Sequence, residues 1–306
     1  MLEKIRSKYI LELIIKNHLD KKIYLQLVKY NKNLQEKLKI KLKDYKYCSE
    51  KVIIDLYPKN ELIKDQQYNF ININDNERRY FHIFFDENKK EENRCYITGN
   101  DKINKIRVII ESKIKSFSGL FIYCNCLEKI NFIRCDNNIE NLYNTFCSCK
   151  SLIDLNVSKL KTDKVKNMRG MFQGCSSLKE LNLSNFNTKN VITMYEMFFG
   201  CSSLEKLIIN NFDTSKVINM NYMFYRCKNL KSLDITNFNT ENVVKMISMF
   251  YHCDSLINLD ITNFNLINVE KMDYMFSGCK NILKDLVKKQ NPALREEAFE
   301  KCYDEK

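Results

Sequence analysis

The stretch MFQGCSSLKELNLSNFNTKNVITMYE, residues 171–196, is followed at once by MFFGCSSLEKLIINNFDTSKVINMNY, residues 197–222, and by MFYRCKNLKSLDITNFNTENVVKMIS, residues 223–248. The phenylalanine of this phrase recurs at Phe121, Phe146, Phe172, Phe198, Phe224, Phe250 and Phe276, one step of 25 residues and then steps of 26. A fixed period of that length predicts stacked coils.

Within each copy two shorter periods alternate. Cysteine follows the phenylalanine by three residues (Cys124, Cys149, Cys175, Cys201, Cys227, Cys253, Cys279), and then come Leu178, Leu181 and Leu183 or their counterparts. The last two have the spacing of one face of a strand. A polar Asn-Phe-Asn/Asp-Thr turn follows, in which Thr188, Thr214 or Thr240 is expected to cap a helix. Val191, Met194, Met197 and Phe198 then return at three, six and seven residues, the apolar stripe of a helical segment. The expectation is strand, turn, short helix, turn in every copy. One copy alone buries too little to offset the entropy of fixing its backbone, so neighbours must stack and the ends need caps.

These residues resemble the BspA-like leucine-rich repeat proteins, in the subgroup with the repeat MFxxCxSLxxLxLSNFxTxxVxxM. The resemblance covers a little over half of the chain. It implies an α/β leucine-rich-repeat solenoid, one short strand and one short helix per coil, and it implies no particular function. Members of that family are often secreted or attached to cell surfaces.

The chain has 306 residues, 44% of them hydrophobic and 12% aromatic, with a formal charge of +12. That composition excludes wholesale disorder, and no apolar run reaches the ~18–20 residues needed to cross a bilayer. The excess of Lys and Arg is concentrated in residues 1–50, and no basic stripe with interleaved aromatics runs through the repeats, so nucleic acid is not an expected partner. Seven of the 13 cysteines share one register of the repeat and the others show no paired or zinc-like spacing. Reduced thiols acting as small buried hydrophobes are expected.

Four regions follow from composition. Residues 1–50 carry Ile5, Tyr9, Ile10, Leu13 and Ile14 at helical spacing and a second run through Leu38, interrupted by charges and without a cleavage site, unlike a secretory leader. A cytoplasmic location is therefore expected. The runs Tyr9–Ile14 and Leu25–Asn31 are similar to an F-box, a helical module that docks onto a ubiquitin-ligase scaffold, although its Leu-Pro and Trp are missing; a plain helical cap is the alternative. Residues 51–114 alternate β-branched and aromatic runs with polar clusters, as a small β-rich capping region would. The repeats proper span 115–282, and residues 283–306 read as a C-terminal helical cap of two helices split at Pro292.

No catalytic grouping is visible. His18, His82 and His252 lie in separate segments, no nucleophile or metal-ligand motif surrounds them, and with only six glycines a phosphate-cradling loop is not expected, nor any cofactor. What remains is the outward face of the strands, with Asn156, Asn182, Ile208, Asp234 and Asp260 on one rung and Ser158, Ser184, Asn210, Thr236 and Thr262 on the next. Asn182, Ser184, Asn210, Asp234, Thr236, Asp260 and Thr262 are the candidate partner-binding residues. The expected function is a non-enzymatic protein-interaction scaffold, with a ubiquitin-ligase substrate adaptor as the alternative and a surface adhesin as the third reading.

Overall fold

The computed structural model describes residues 51–301. The chain divides into two compact units, 1–51 and 52–306. The helical segment expected over residues 1–50, and with it the F-box likeness, lies outside the described residues.

The first described residues build a sheet because their apolar side chains alternate. In β3 (Phe81–Phe85) and β5 (Ile106–Glu111) every second residue is buried, and the two pair antiparallel. With β1 (Lys51–Pro58), β6 (Leu127–Cys135) and β7 (Asp154–Asn156) they form a five-stranded sheet in the order β3-β5-β1-β6-β7. Asp55 is buried on β1 and receives two 2.7 Å bonds from the guanidinium of Arg107 on β5. Strand β6 is antiparallel to β1 on one side and parallel to β7 on the other. It is the seam at which the sheet passes into the repeats. Two short strands, β2 (Gln67–Asn69) and β4 (Tyr96–Thr98), form a separate antiparallel pair.

From β7 onward the strands shrink to β8 (Glu180–Asn182), β9 (Lys206–Ile208), β10 (Ser232–Leu233) and β11 (Asn258–Leu259), joined as two separate parallel pairs. The helices expected after them do not form. Among the described residues there is one α-helix, α1 (Asn281–Gln290), with three-ten segments at Asp75–Tyr80 and Glu296–Ala298, and none of these lies between Phe121 and Cys279. The α/β leucine-rich-repeat solenoid is therefore corrected to a mostly β and turn architecture with several small sheets. At the C-terminus the second expected helix is likewise only three residues of three-ten turn.

The reason lies in where the backbone amides go. In an α-helix every interior amide bonds four residues back in its own segment. Here Met194, Glu196, Phe198 and Gly200 donate to the carbonyls of Asn219, Asn221, Met223 and Tyr225 in the next copy, at 2.7 to 3.2 Å, while Met197, Phe199 and Cys201 donate to carbonyls three residues back. Glu196 and Gly200 are left-handed, with φ of 57° and 69°, which no helix tolerates. Successive three-residue turns return side chains at nearly helical spacing. Val191, Met194, Met197 and Phe198 are accordingly all fully buried, as a helical stripe would be.

The register residues tie each copy to its neighbour. Phe121, Phe146, Phe172, Phe198, Phe224, Phe250 and Phe276 stack in one column with ring centroids 5.3 to 5.6 Å apart, a spacing at which offset aromatic pairs attract. Thr188, Thr214 and Thr240 cap no helix. Thr214 is buried, its hydroxyl donating to the Asn239 carbonyl and accepting from the Asn239 amide, both at 2.8 Å. The cysteines do more than fill space. The thiols of Cys175, Cys201, Cys227, Cys253 and Cys279 each donate to the phenylalanine carbonyl of the preceding copy at 3.1 to 3.2 Å.

The last copy has no successor, and the C-terminal segment imitates one. Phe276 donates to the Ala298 carbonyl, Tyr274 donates to that of Glu297, and Phe299 continues the ring column 5.7 Å from Phe276. The Ile261 amide donates to the side-chain Oε1 of Gln290 in α1, in place of a next-strand carbonyl. At the opposite end Asn72 donates to the Leu120 carbonyl at 2.7 Å, as a preceding copy would.

Three outcomes follow. Thr214→Val keeps the shape but strands the Asn239 amide and carbonyl, and should cost about 1–3 kcal/mol in denaturant unfolding, whereas Thr214→Ser should cost far less; equal stability of the valine variant would contradict the inter-copy role. All 11 described cysteines are free, and burial pushes the Cys201 thiol up to about 12. A thiol raised above its unfolded value contributes stability below that value and loses it as pH rises, so melting temperature should fall between about pH 9 and about pH 12. Alkylation of Cys201 and Cys227 should need denaturation first, and rapid labelling of the native protein would contradict their burial.

Candidate functional site

The outward rungs are built by the same short strands. Leu181 and Leu207 face the core, so Asn182 points the other way and is exposed, and beyond the strand ends Ser184, Asn210, Asp234, Thr236, Asp260 and Thr262 are exposed as well. Parallel pairing sets Asn182 beside Ile208. Leu233 pairs with Leu259, which puts Asp234 beside Asp260. The rungs do not form one continuous strand face, because β8-β9 and β10-β11 are separate sheets.

Most of these side chains also serve their own turns. Asn182 Oδ1 accepts from the Ser184 amide at 2.9 Å, and Asn156 does the same for Ser158 at 3.0 Å. In the acidic copies Asp234 Oδ1 accepts from the amide and the hydroxyl of Thr236 at 3.2 and 2.7 Å. Asp260 repeats this with Thr262 at 2.9 and 2.7 Å, and the Thr262 hydroxyl, followed by its amide, holds the Asp260 carboxyl below the usual carboxylate range. Each carboxylate thus commits one oxygen to the fold and leaves Oδ2 uncommitted. The two like charges sit side by side in neighbouring copies.

Charges just outside the rungs are paired from copy to copy. Lys129 meets Asp154 at 2.6 Å and Glu205 meets Lys231 at 2.9 Å, both exposed pairs of small energetic weight.

A second surface escaped the sequence reading. On the turn side Phe199, Tyr225 and Tyr251 stack at 4.5 and 4.7 Å. Tyr222 joins them edge-on to Tyr225 at 5.7 Å and to Tyr195 at 5.8 Å. The Arg169 guanidinium lies over Tyr195 at 4.5 Å and Tyr143 at 5.7 Å. The signal was present in the sequence, since three consecutive copies carry an aromatic residue directly after the register phenylalanine. These rings spend their faces on one another and form a ladder that reinforces the stack.

The histidines remain apart. His82 lies between Glu91 and Glu111 at 2.9 and 3.1 Å, and His252 contacts Asp254 at 3.0 Å; His18 is outside the described residues. Among the described residues no group of three or more His, Cys, Asp or Glu side chains is placed to hold a metal ion. None of their helices is long and apolar enough to cross a membrane.

No curated protein and no solved structure matches the chain. The model of one family, described as "Mycoplasma protein of unknown function, DUF285", matches residues 115–209 and 180–290. Those two segments together run over the repeats from just ahead of the seam strand β6 to the end of α1 and cover more than half of the chain. The chain belongs to the DUF285 family.

Proposed function

We propose that the chain is a non-enzymatic protein-binding module whose partner meets the outward rungs of the central copies, from Asn182 to Thr262. The observation that carries this reading is the division of labour along the repeat. The Phe, Cys, Thr and Met registers are buried and satisfied between copies, whereas the rung positions are exposed, vary from copy to copy, and are held in place by bonds to their own turns. A rigid display of this kind loses little conformational entropy when a partner docks.

The adjacent carboxylates of Asp234 and Asp260 add a preference. Their uncommitted oxygens concentrate negative charge on the C-terminal copies, which favours a partner presenting Lys or Arg there.

Asparagine is the informative replacement, because Asn156 and Asn182 already make the same turn bond in other copies. Asp234→Asn with Asp260→Asn should leave the melting temperature nearly unchanged. Titrated against a protein captured by affinity purification with the full chain, the double variant should bind roughly tenfold more weakly and with less dependence on salt. Undiminished binding would move the site off these rungs, and a turnover activity that survives purification would end the non-enzymatic reading.

A further inference from the structure

A cleft of about 470 Å³ lies where the loop around β2 meets the first copy of the repeat. Its shape is fixed by the imitation of a preceding copy. Asn72 donates through its amide to the Leu120 carbonyl at 2.7 Å and through Nδ2 to the Ile122 carbonyl at 2.8 Å, while the Cys126 thiol donates to the Asn69 carbonyl at 3.4 Å.

The lining has an unusual chemistry: five carboxamides, Gln66, Gln67, Asn69, Asn72 and Asn125, two tyrosines, and no charged side chain. Some amide groups are already committed. Gln66 Oε1 accepts from the Tyr68 hydroxyl and Asn125 Oδ1 from the Lys150 amide. Gln66 Nε2, Asn125 Nδ2, Asn72 Oδ1 and both ends of Gln67 and Asn69 remain for a ligand. Donors and acceptors are therefore mixed across the cleft, and all are neutral.

Tyr123 is the second observation. It is left-handed, with φ of 58°, which costs an L-residue about 1–2 kcal/mol. The residue is 65% exposed. The equivalent position is left-handed in every copy, where it is held by Ser148, Gly174, Gly200, Arg226, His252 and Gly278. The backbone conformation thus belongs to the repeat, whereas a tyrosine stands at this position only in the first copy, exposed at the wall of the cleft.

We infer that this cleft binds a neutral saccharide. Each sugar hydroxyl both donates and accepts, which carboxamides match, and the apolar C–H face of a sugar ring rests against an aromatic side chain such as Tyr123. A phosphorylated or acidic ligand would call for Lys or Arg in the lining, and none is there. The volume lies in the lower part of the ~300–1,000 Å³ range of small-molecule sites, room for roughly one or two sugar rings.

The test is saturation-transfer NMR on the full chain with maltose, cellobiose, lactose and N,N′-diacetylchitobiose at millimolar concentration, and with triglycine as a neutral peptide probe. At least one disaccharide should receive transfer and triglycine should not. Tyr123→Ser, which copies the residue the next copy uses at this backbone conformation, and Gln67→Ala, at an exposed position of β2, should each weaken binding about tenfold with unchanged melting. The Asp234→Asn, Asp260→Asn variant should bind sugar normally, which separates this site from the rungs. Absence of transfer to all four sugars, equal transfer to triglycine, or undiminished binding by both cleft variants would overturn the inference.

Discussion

Everything in the repeats depends on backbone groups of one copy being satisfied by the next. A buried peptide N–H or C=O without a partner is costly, and a turn-rich segment cannot satisfy all of its own. Alternate amides of the turn side therefore reach forward by 25 residues, Phe172 to Met197, Phe198 to Met223, Phe224 to Met249 and Phe250 to Met275, each at 2.9 Å. The side chains that recur most strictly serve the same end. Thr hydroxyls bridge forward to the next copy's backbone, Cys thiols bond back to the preceding phenylalanine carbonyl, and Asn211 Nδ2 reaches the Leu183 and Phe186 carbonyls of the copy before it.

A stack built on forward donation leaves unpaired donors at its last copy and unpaired carbonyls at its first. Both ends are answered by segments that borrow the repeat's geometry without its sequence. At the C-terminal end Ala298 and Phe299 take the places of a methionine and the register phenylalanine, and Asn291 donates to the Phe264 carbonyl as Asn211 does to Phe186. At the N-terminal end Asn72 sits on Leu120 and Ile122, and β1 covers the free side of β6 through seven paired residues.

The period, the buried registers and the location of the β-rich segment were legible in the sequence, since identity of residue at fixed spacing reports burial directly. Every phenylalanine, methionine and cysteine of the register is buried. What the spacing did not carry was backbone conformation. Val191, Met194, Met197 and Phe198 satisfy a helical stripe and a run of three-residue turns equally well, and the feature that decides between them is the left-handed pair. That pair is Gly170 and Gly174 in one copy but Tyr222 and Arg226 in another, so no residue type announces it. Strand β6 is longer than the repeat's own short strands because Leu127–Cys135 also pairs with β1. Of the candidate site, the exposure of the rungs was foreseeable from period-two alternation, whereas their bonds to their own turns and the chemistry of the cleft required the relative placement of distant segments.

The central claim is that each copy is an interchangeable layer bonded to its neighbours in one register. Excision of residues 198–223, one full period of 26 residues, joins Met197 to Phe224 and should leave every forward bond with a partner. The account predicts a cooperative thermal transition for that shortened chain and its loss when only residues 198–210 are removed. Unfolding of both variants, or equal stability of both, would contradict it.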